Sequence, residues 1–208
     1  MQISFQEGYN ILSPLVGGGL TALVNHVFRM RRINILRKMN DPVVESIRNN
    51  VLVESKLNYI LEKFEADRVW VIQFHNGGNF YPNGKSIPKF SMFYEVLKPY
   101  ARSLKDGFQN IPISIFSRFI NYLYDKDFIA IKDYKEVPEE LIDVRYISDD
   151  TDAKSSYAFA VKTVDDKFVG ILGVSFVKRK REFDELLIKD LQIEASSLGG
   201  PLLNINNS

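Results

Sequence analysis

The feature that most constrains this chain is a pair of β-rich runs near its C-terminal end, Tyr157-Ala158-Phe159-Ala160-Val161-Lys162-Thr163 and Phe168-Val169-Gly170-Ile171-Leu172-Gly173-Val174-Ser175-Phe176. Only Val164-Asp165-Asp166-Lys167 separates them. Dense aromatic and β-branched residues favour strands, and so short a polar joint predicts an antiparallel hairpin. After the basic run Lys178 to Arg181, a helix is predicted from Phe183 to Leu198. It places Phe183, Leu187, Leu191, Ala195 and Leu198 on one face, with Gly199-Gly200-Pro201 as its stop.

Upstream, Asn40-Asp41-Pro42 signals a helix start, with Asp41 as N-cap and Pro42 at the first helical position. Val44, Ile47, Val51, Leu57, Leu61 and Phe64 then recur at helical spacing, predicting one long amphipathic helix from Val43 to Phe64. Arg68 to Phe74 reads as a buried central strand ended by the turn signal His75-Asn76-Gly77-Gly78. Asn79 to Phe90, with two prolines and Gly84, reads as a long loop, and Lys89 to Leu97 as a second strand. Ile113 to Tyr124 has helical spacing, Phe128 to Ile131 forms a short strand, and Val137 to Tyr146 is a connecting helix or loop. The predicted core centres on Trp70, Ile72, Phe159, Val169, Ile171 and Leu191.

Composition closes several routes. With 45% hydrophobic and 25% charged residues over 208 positions, the chain can bury one good core, so wholesale disorder is excluded. A net charge of +1 gives no global field for nucleic acid, and no nucleic-acid partner is expected. The chain has no cysteine, hence no disulfide, thiolate nucleophile, thiol attachment point for a chromophore or Cys-ligated metal. Two histidines, His26 and His75, cannot make a multi-His site, so no metal and no resident cofactor is expected.

The N-terminal region differs in kind. Ile11 to Phe28 is free of Asp, Glu, Lys and Arg and just long enough to cross a hydrocarbon core as a helix. Gly17, Gly18 and Gly19 are costly in a water-exposed helix but tolerated in lipid, where small residues allow close helix pairing. Ser13, Gly17, Thr21 and Asn25 form one such stripe, and Pro14, Gly18, Ala22 and His26 the next. Arg29, Arg31 and Arg32 follow the run, while Glu7 is the one charged side chain before it, so positive-inside reasoning puts the C-terminal bulk in the cytoplasm. The chain is thus expected to divide into a membrane segment with basic flank, 1–39, and a globular domain, 40–208.

The order of long helix, central strand, irregular middle, hairpin and closing helix resembles the GAF family, whose antiparallel sheet is backed by helices from both chain ends. Lys167 to Val174, followed by Phe183, Ile188, Leu191 and Ala195, is similar to that family's closing pattern, although Leu187 stands where an acidic residue is usual. The resemblance implies an α+β fold, a GAF-like antiparallel sheet flanked by helices, here with an N-terminal apolar transmembrane helix. It also implies small-molecule binding rather than catalysis. The cyclic-nucleotide signature of some members is not reproduced, because Asp184-Glu185 directly follows Phe183. Bilin attachment and methionine-sulfoxide reduction in other members depend on cysteines, which this chain lacks. The run Phe74 to Gly78 with Lys89, Ser91, Tyr94 and Glu95 also resembles uncharacterised tailed-phage proteins.

Candidate ligand contacts are His75 and Asn76, at the expected strand end, with Tyr81, Lys85, Tyr94 and Glu95 as neighbours if the middle loop folds over the sheet. The same stretch ends in Gly84-Lys85-Ser86, but five residues separate Gly78 from Gly84 where a phosphate-cradling loop needs four, and Pro82 lacks an amide. Nucleotide hydrolysis is therefore the weakest reading. The leading one is a non-enzymatic, membrane-tethered sensory or scaffolding module that binds a small molecule or protein, contacts membrane lipid and forms homo-oligomers. The alternative is a holin-like membrane-assembling protein whose globular domain regulates assembly.

Overall fold

A proline in the first turn and apolar residues at helical spacing start α1 (Pro42–Lys63), within a computed structural model that describes residues 26–31, 42–79, 85–145 and 151–206. Two compact units emerge, Met1–Glu45 and Ser46–Ser208. In the first, residues 26–31 are helical with exposed side chains. Residues 11–25 of the predicted membrane segment lie outside the described residues. Among those described, no helix is long and apolar enough to cross a membrane.

The second unit carries the strands β1 (Arg68–Asn79), β2 (Ser86–Leu97), β3 (Ile111–Pro112), β4 (Phe128–Ile131), β5 (Ser155–Lys162) and β6 (Phe168–Phe176). They form one six-stranded sheet of order β3-β2-β1-β6-β5-β4, antiparallel at every pairing. The expected hairpin is β5–β6, closed by the Thr163 N–H to Lys167 carbonyl bond of 2.9 Å with Asp166 at positive φ. The other helices are α2 (Ser117–Lys126), α3 (Ile142–Arg145), α4 (Glu185–Ser196) and α5 (Gly199–Asn206).

Strand alternation divides the core in two. On one face Val69, Val71, Phe159, Leu172 and Val174 pack with Val53, Leu57, Ile60 and Phe64 from α1 and its end, and with Leu191, Ala195, Leu198 and Leu202. On the other, Ile72, Phe90, Met92, Ile129, Ala158 and Ile171 pack against Phe116, Phe119, Ile120 and Leu123 in and just before α2, and against Val137, Leu141 and Val144. All six predicted core residues belong to the packing, though Trp70 is only partly buried.

The structure corrects four expectations. First, β1 does not end at His75 but runs to Asn79, and β2 starts at Ser86, so the twelve-residue loop shrinks into a strand hairpin. The turn residues are used within the ladder: Gly78 adopts φ +105° at an irregularity between Asn76 and Asn79, and the Asn76 side chain accepts from the Gly78 N–H at 3.1 Å. Second, the apolar stripe of α1 is not continuous. Val44, Ile47 and Val51 stay exposed, and the buried register is Val53, Leu57 and Ile60, because the earlier stripe continues onto Glu54 and Asn58. Third, α4 begins at Glu185 rather than Phe183, since Asp184 caps it by accepting from the Leu187 N–H at 2.9 Å. Phe183 stacks on Tyr157 instead, with ring centroids 4.4 Å apart. Fourth, α4 ends at Ser196, two residues short of the expected Leu198, and Gly199-Gly200-Pro201, expected only as its stop, also starts α5 with Pro201 in its first turn. Glycine is required at 199, where a Cβ would sit 2.2 Å from the Lys162 carbonyl oxygen.

Candidate functional site

On the sheet face covered by α2 and α3, alternation aligns Arg68, Trp70 and Ile72 of β1 with Ser156 and Ala158 of β5 and Ile171 and Ser175 of β6. With Phe119 and Ile120 of α2 and with Tyr134, Thr151 and Ala153, these enclose a cavity of about 60 Å³. Its wall is mainly apolar, but one corner is polar. Ser175 Oγ accepts from Trp70 Nε1 at 3.2 Å and from Ser156 Oγ at 2.9 Å. The Tyr134 hydroxyl beside them is pushed above its ordinary pKa chiefly by burial.

Arg68 dominates this corner and has no solvent exposure. Its Nη2 donates to the Asp152 carboxylate and to the Arg102 carbonyl, and its Nε lies 3.5 Å from Glu95 Oε1. Its Nη1 has no hydrogen-bond partner. Glu95 is itself held by the Ser103 hydroxyl and by the Leu104 N–H at 2.9 Å, and the Arg102 N–H donates to Asp152 at 2.8 Å. Two carboxylates therefore fix a guanidinium whose remaining N–H groups are left over, which is unusual for a buried charge. Tyr134, Thr151 and Ala153 also line an open groove with Asp133, Asp152, Lys154 and Lys180, so they form the wall between cavity and surface.

Of the six sequence candidates, only Glu95 belongs to this corner. The bulge between Met92 and Tyr94 puts Tyr94 on the opposite face, where its hydroxyl donates to Asn50 of α1 and where burial, then the nearby Glu54 charge, push it up to about 12. His75 lies within the β1–β2 ladder with Nε2 2.9 Å from Ser91 Oγ. Asn76 accepts from Ser86 Oγ at 2.7 Å and braces the hairpin. Lys85 is exposed just before β2, and Tyr81 lies outside the described residues. The His75–Ser91 pair makes a poor nucleophile: Ser91 is 2% exposed and its hydroxyl already accepts from the Asn110 N–H at 2.8 Å. Ser86 leads into a strand rather than a helix, so the Gly-Lys-Ser stretch also lacks the strand–loop–helix setting of a phosphate loop. Among the described residues no cluster of His, Asp and Glu could hold a metal.

Arg68, Trp70, Tyr134, Asp152, Ser156 and Ser175 were not among the sequence candidates. A partial signal existed: Arg68 is in phase with Trp70 and Ile72 in an otherwise apolar strand, and the hairpin register sets Ser156 opposite Ser175.

No family model and no curated protein matches the chain by sequence. Solved structures do match in shape. A far-red cyanobacteriochrome photoreceptor shares 14% identity at a TM-score of 0.61, covering 85% of this chain and 98% of its own. The phycoerythrobilin-bound GAF domain of a cyanobacterial phytochrome shares 17% at 0.59, covering 83% and 94%. The GAF domain region of a protein from Geobacter sulfurreducens shares 14% at 0.55, covering 77% and 97%. The fold is GAF-like.

Proposed function

We propose that this chain is a non-enzymatic, membrane-tethered sensory module that binds a small molecule in the cavity beside Arg68. The observation that carries this reading is the partly enclosed, mainly apolar cavity with a fully buried guanidinium whose Nη1 lacks a partner. An apolar site with a few convergent polar groups is what small-molecule binding requires. The solved neighbours include bilin-bound GAF domains, but a bilin does not suit this chain. It has no cysteine, and 60 Å³ is far below the roughly 300 Å³ at which drug-sized ligand pockets begin.

β1 offers a route for the signal. Arg68 and Trp70 face the cavity while Val69 and Val71 pack on the α1 side, so a ligand that shifts β1 moves both layers. α1 then leads back to the apolar run Ile11 to Phe28, the proposed tether, and Val27, Phe28 and Met30 are exposed in the helical stretch 26–31. Exposed Val44, Ile47 and Val51 on α1 and the small-residue stripes support homo-oligomers.

Native mass spectrometry of the full-length chain, released from detergent, tests the binding. A retained small molecule is expected, and Ala158→Val, which adds two methyl groups at the cavity wall, should reduce its occupancy at least fivefold. Equal retention by the variant would place the ligand elsewhere and refute this site.

A further inference from the structure

We infer that the cavity selects a small, uncharged molecule presenting an oxygen acceptor, such as a carbonyl or amide, and rejects carboxylates. The inference rests on reading the cavity as a ligand site and adds the class of ligand. Three counts lead to it.

The first is of hydrogens. Trp70 Nε1–H and the hydroxyls of Ser156, Ser175 and Tyr134, the last bonded to Ser156, supply four hydrogens to three hydrogen bonds, so one hydroxyl hydrogen remains whichever way the chain of hydroxyls points. Arg68 Nη1 adds unused N–H groups. The wall has surplus donors, and a buried donor without an acceptor is costly, so a ligand that supplies the acceptor is favoured.

The second is of charge. Arg68 is the one charged side chain among the described residues lining the cavity, and it already faces Glu95 and Asp152. One cation between two carboxylates sums to −1, so an incoming carboxylate would lose its hydration and meet net repulsion. A neutral oxygen meets no net repulsion, has far less hydration to lose, and still gains a charge-assisted hydrogen bond from Nη1.

The third is of space. A cavity of 60 Å³ has room for about four water-sized groups, at roughly 15 Å³ of such space for each. That admits a molecule about the size of acetamide, whose near-isostere acetate differs in charge.

The test uses the full-length chain carrying ¹³C-methyl isoleucine and ¹⁵N-indole tryptophan, with xenon, acetamide and acetate added separately at pH 7. Xenon and acetamide are expected to shift the Ile171 methyl and the Trp70 indole signals, and acetate at the same concentration to shift neither. Arg68→Met should weaken acetamide at least tenfold while leaving the xenon shift in place. Should that variant not fold, Ser175→Ala, expected to weaken acetamide severalfold, and the wild-type comparison of acetamide with acetate decide the matter. Acetate binding within twofold of acetamide overturns the charge argument. A xenon response with no acetamide response overturns the acceptor argument, leaving a cavity for apolar guests or water only. Silence from all three probes overturns the ligand-site reading itself, and this inference with it.

Discussion

Trp70 is the chain's single tryptophan, lines the cavity and lies over Gly173 of the neighbouring strand. A Cβ at position 173 would stand 2.0 Å from the indole ring, so the glycine exists to seat the ring. Gly173→Ala should displace the indole and cost about 1–3 kcal/mol, the usual range for overpacking a core. Denaturant unfolding monitored by tryptophan emission measures both the loss and the accompanying red shift. Gly200→Ala is the control: nothing lies within 4 Å of its Cβ, and alanine favours helix, so its stability should match or slightly exceed wild type. If Gly173→Ala unfolds like wild type with unchanged emission, the ring does not pack as described.

Between elements, α1 and α4 are clamped by one carboxylate. Glu194 of α4 bonds Lys63 at 3.1 Å and also pairs with Lys56, both on α1. Burial pushes its carboxyl up, but the two lysines more than offset this and hold it below the usual range. A carboxylate depressed in the folded state contributes stability above its unfolded pKa of about 4.3, and loses it as pH falls through the lower folded value. Glu194→Gln should therefore cost about 1 kcal/mol at pH 7 and flatten the decline in melting temperature below pH 4.5. An unchanged acid limb would assign that decline to other carboxylates, such as Asp67, which burial raises and which Tyr100 and the Lys178 and Val177 N–H groups more than restore downward.

Local signals explain which elements were legible. The β5–β6 hairpin could be read because its strands and joint are contiguous, and Phe128–Ile131 because its apolar run is bounded on both sides. The end of β1 could not: His75-Asn76-Gly77-Gly78 has turn chemistry, yet β2 supplies a ladder partner and the strand carries on through a bulge. Gly199-Gly200-Pro201 could be read as a break but not as the start of α5, and its first glycine serves a close approach to β5. The site was least legible. Glu95 meets Arg68 only because β2 neighbours β1 and because the bulge at Phe93 shifts the alternation by one residue. Neither fact is written in the local pattern of either strand.

For the whole molecule, the proposed tether would set where the domain sits, and it can be tested separately from the proposed ligand. Ile11 to Phe28 spans about 27 Å as a helix against a hydrocarbon core of about 30 Å, so it can cross with little margin. Its three consecutive glycines disfavour a helix in water, and Arg29, Arg31 and Arg32 supply the flank that would stop translocation. The full-length chain is thus expected to pellet with membranes and to withstand both high salt and alkaline extraction. A chain starting at Asn40 should stay in the supernatant. Leu20→Arg separates insertion from surface adhesion, because a charge at mid-span costs about 3 kcal/mol on insertion scales but strengthens attraction to anionic headgroups. Inserted protein should lose membrane association with Leu20→Arg, whereas electrostatically adhering protein should keep or gain it. Release of the full chain by salt alone would assign attachment to the basic runs Arg29 to Arg32 and Lys178 to Arg181, and persistence of the Asn40 chain in the pellet would assign it to the sheet domain. Either result removes the tether and leaves the cavity as the one proposed functional element.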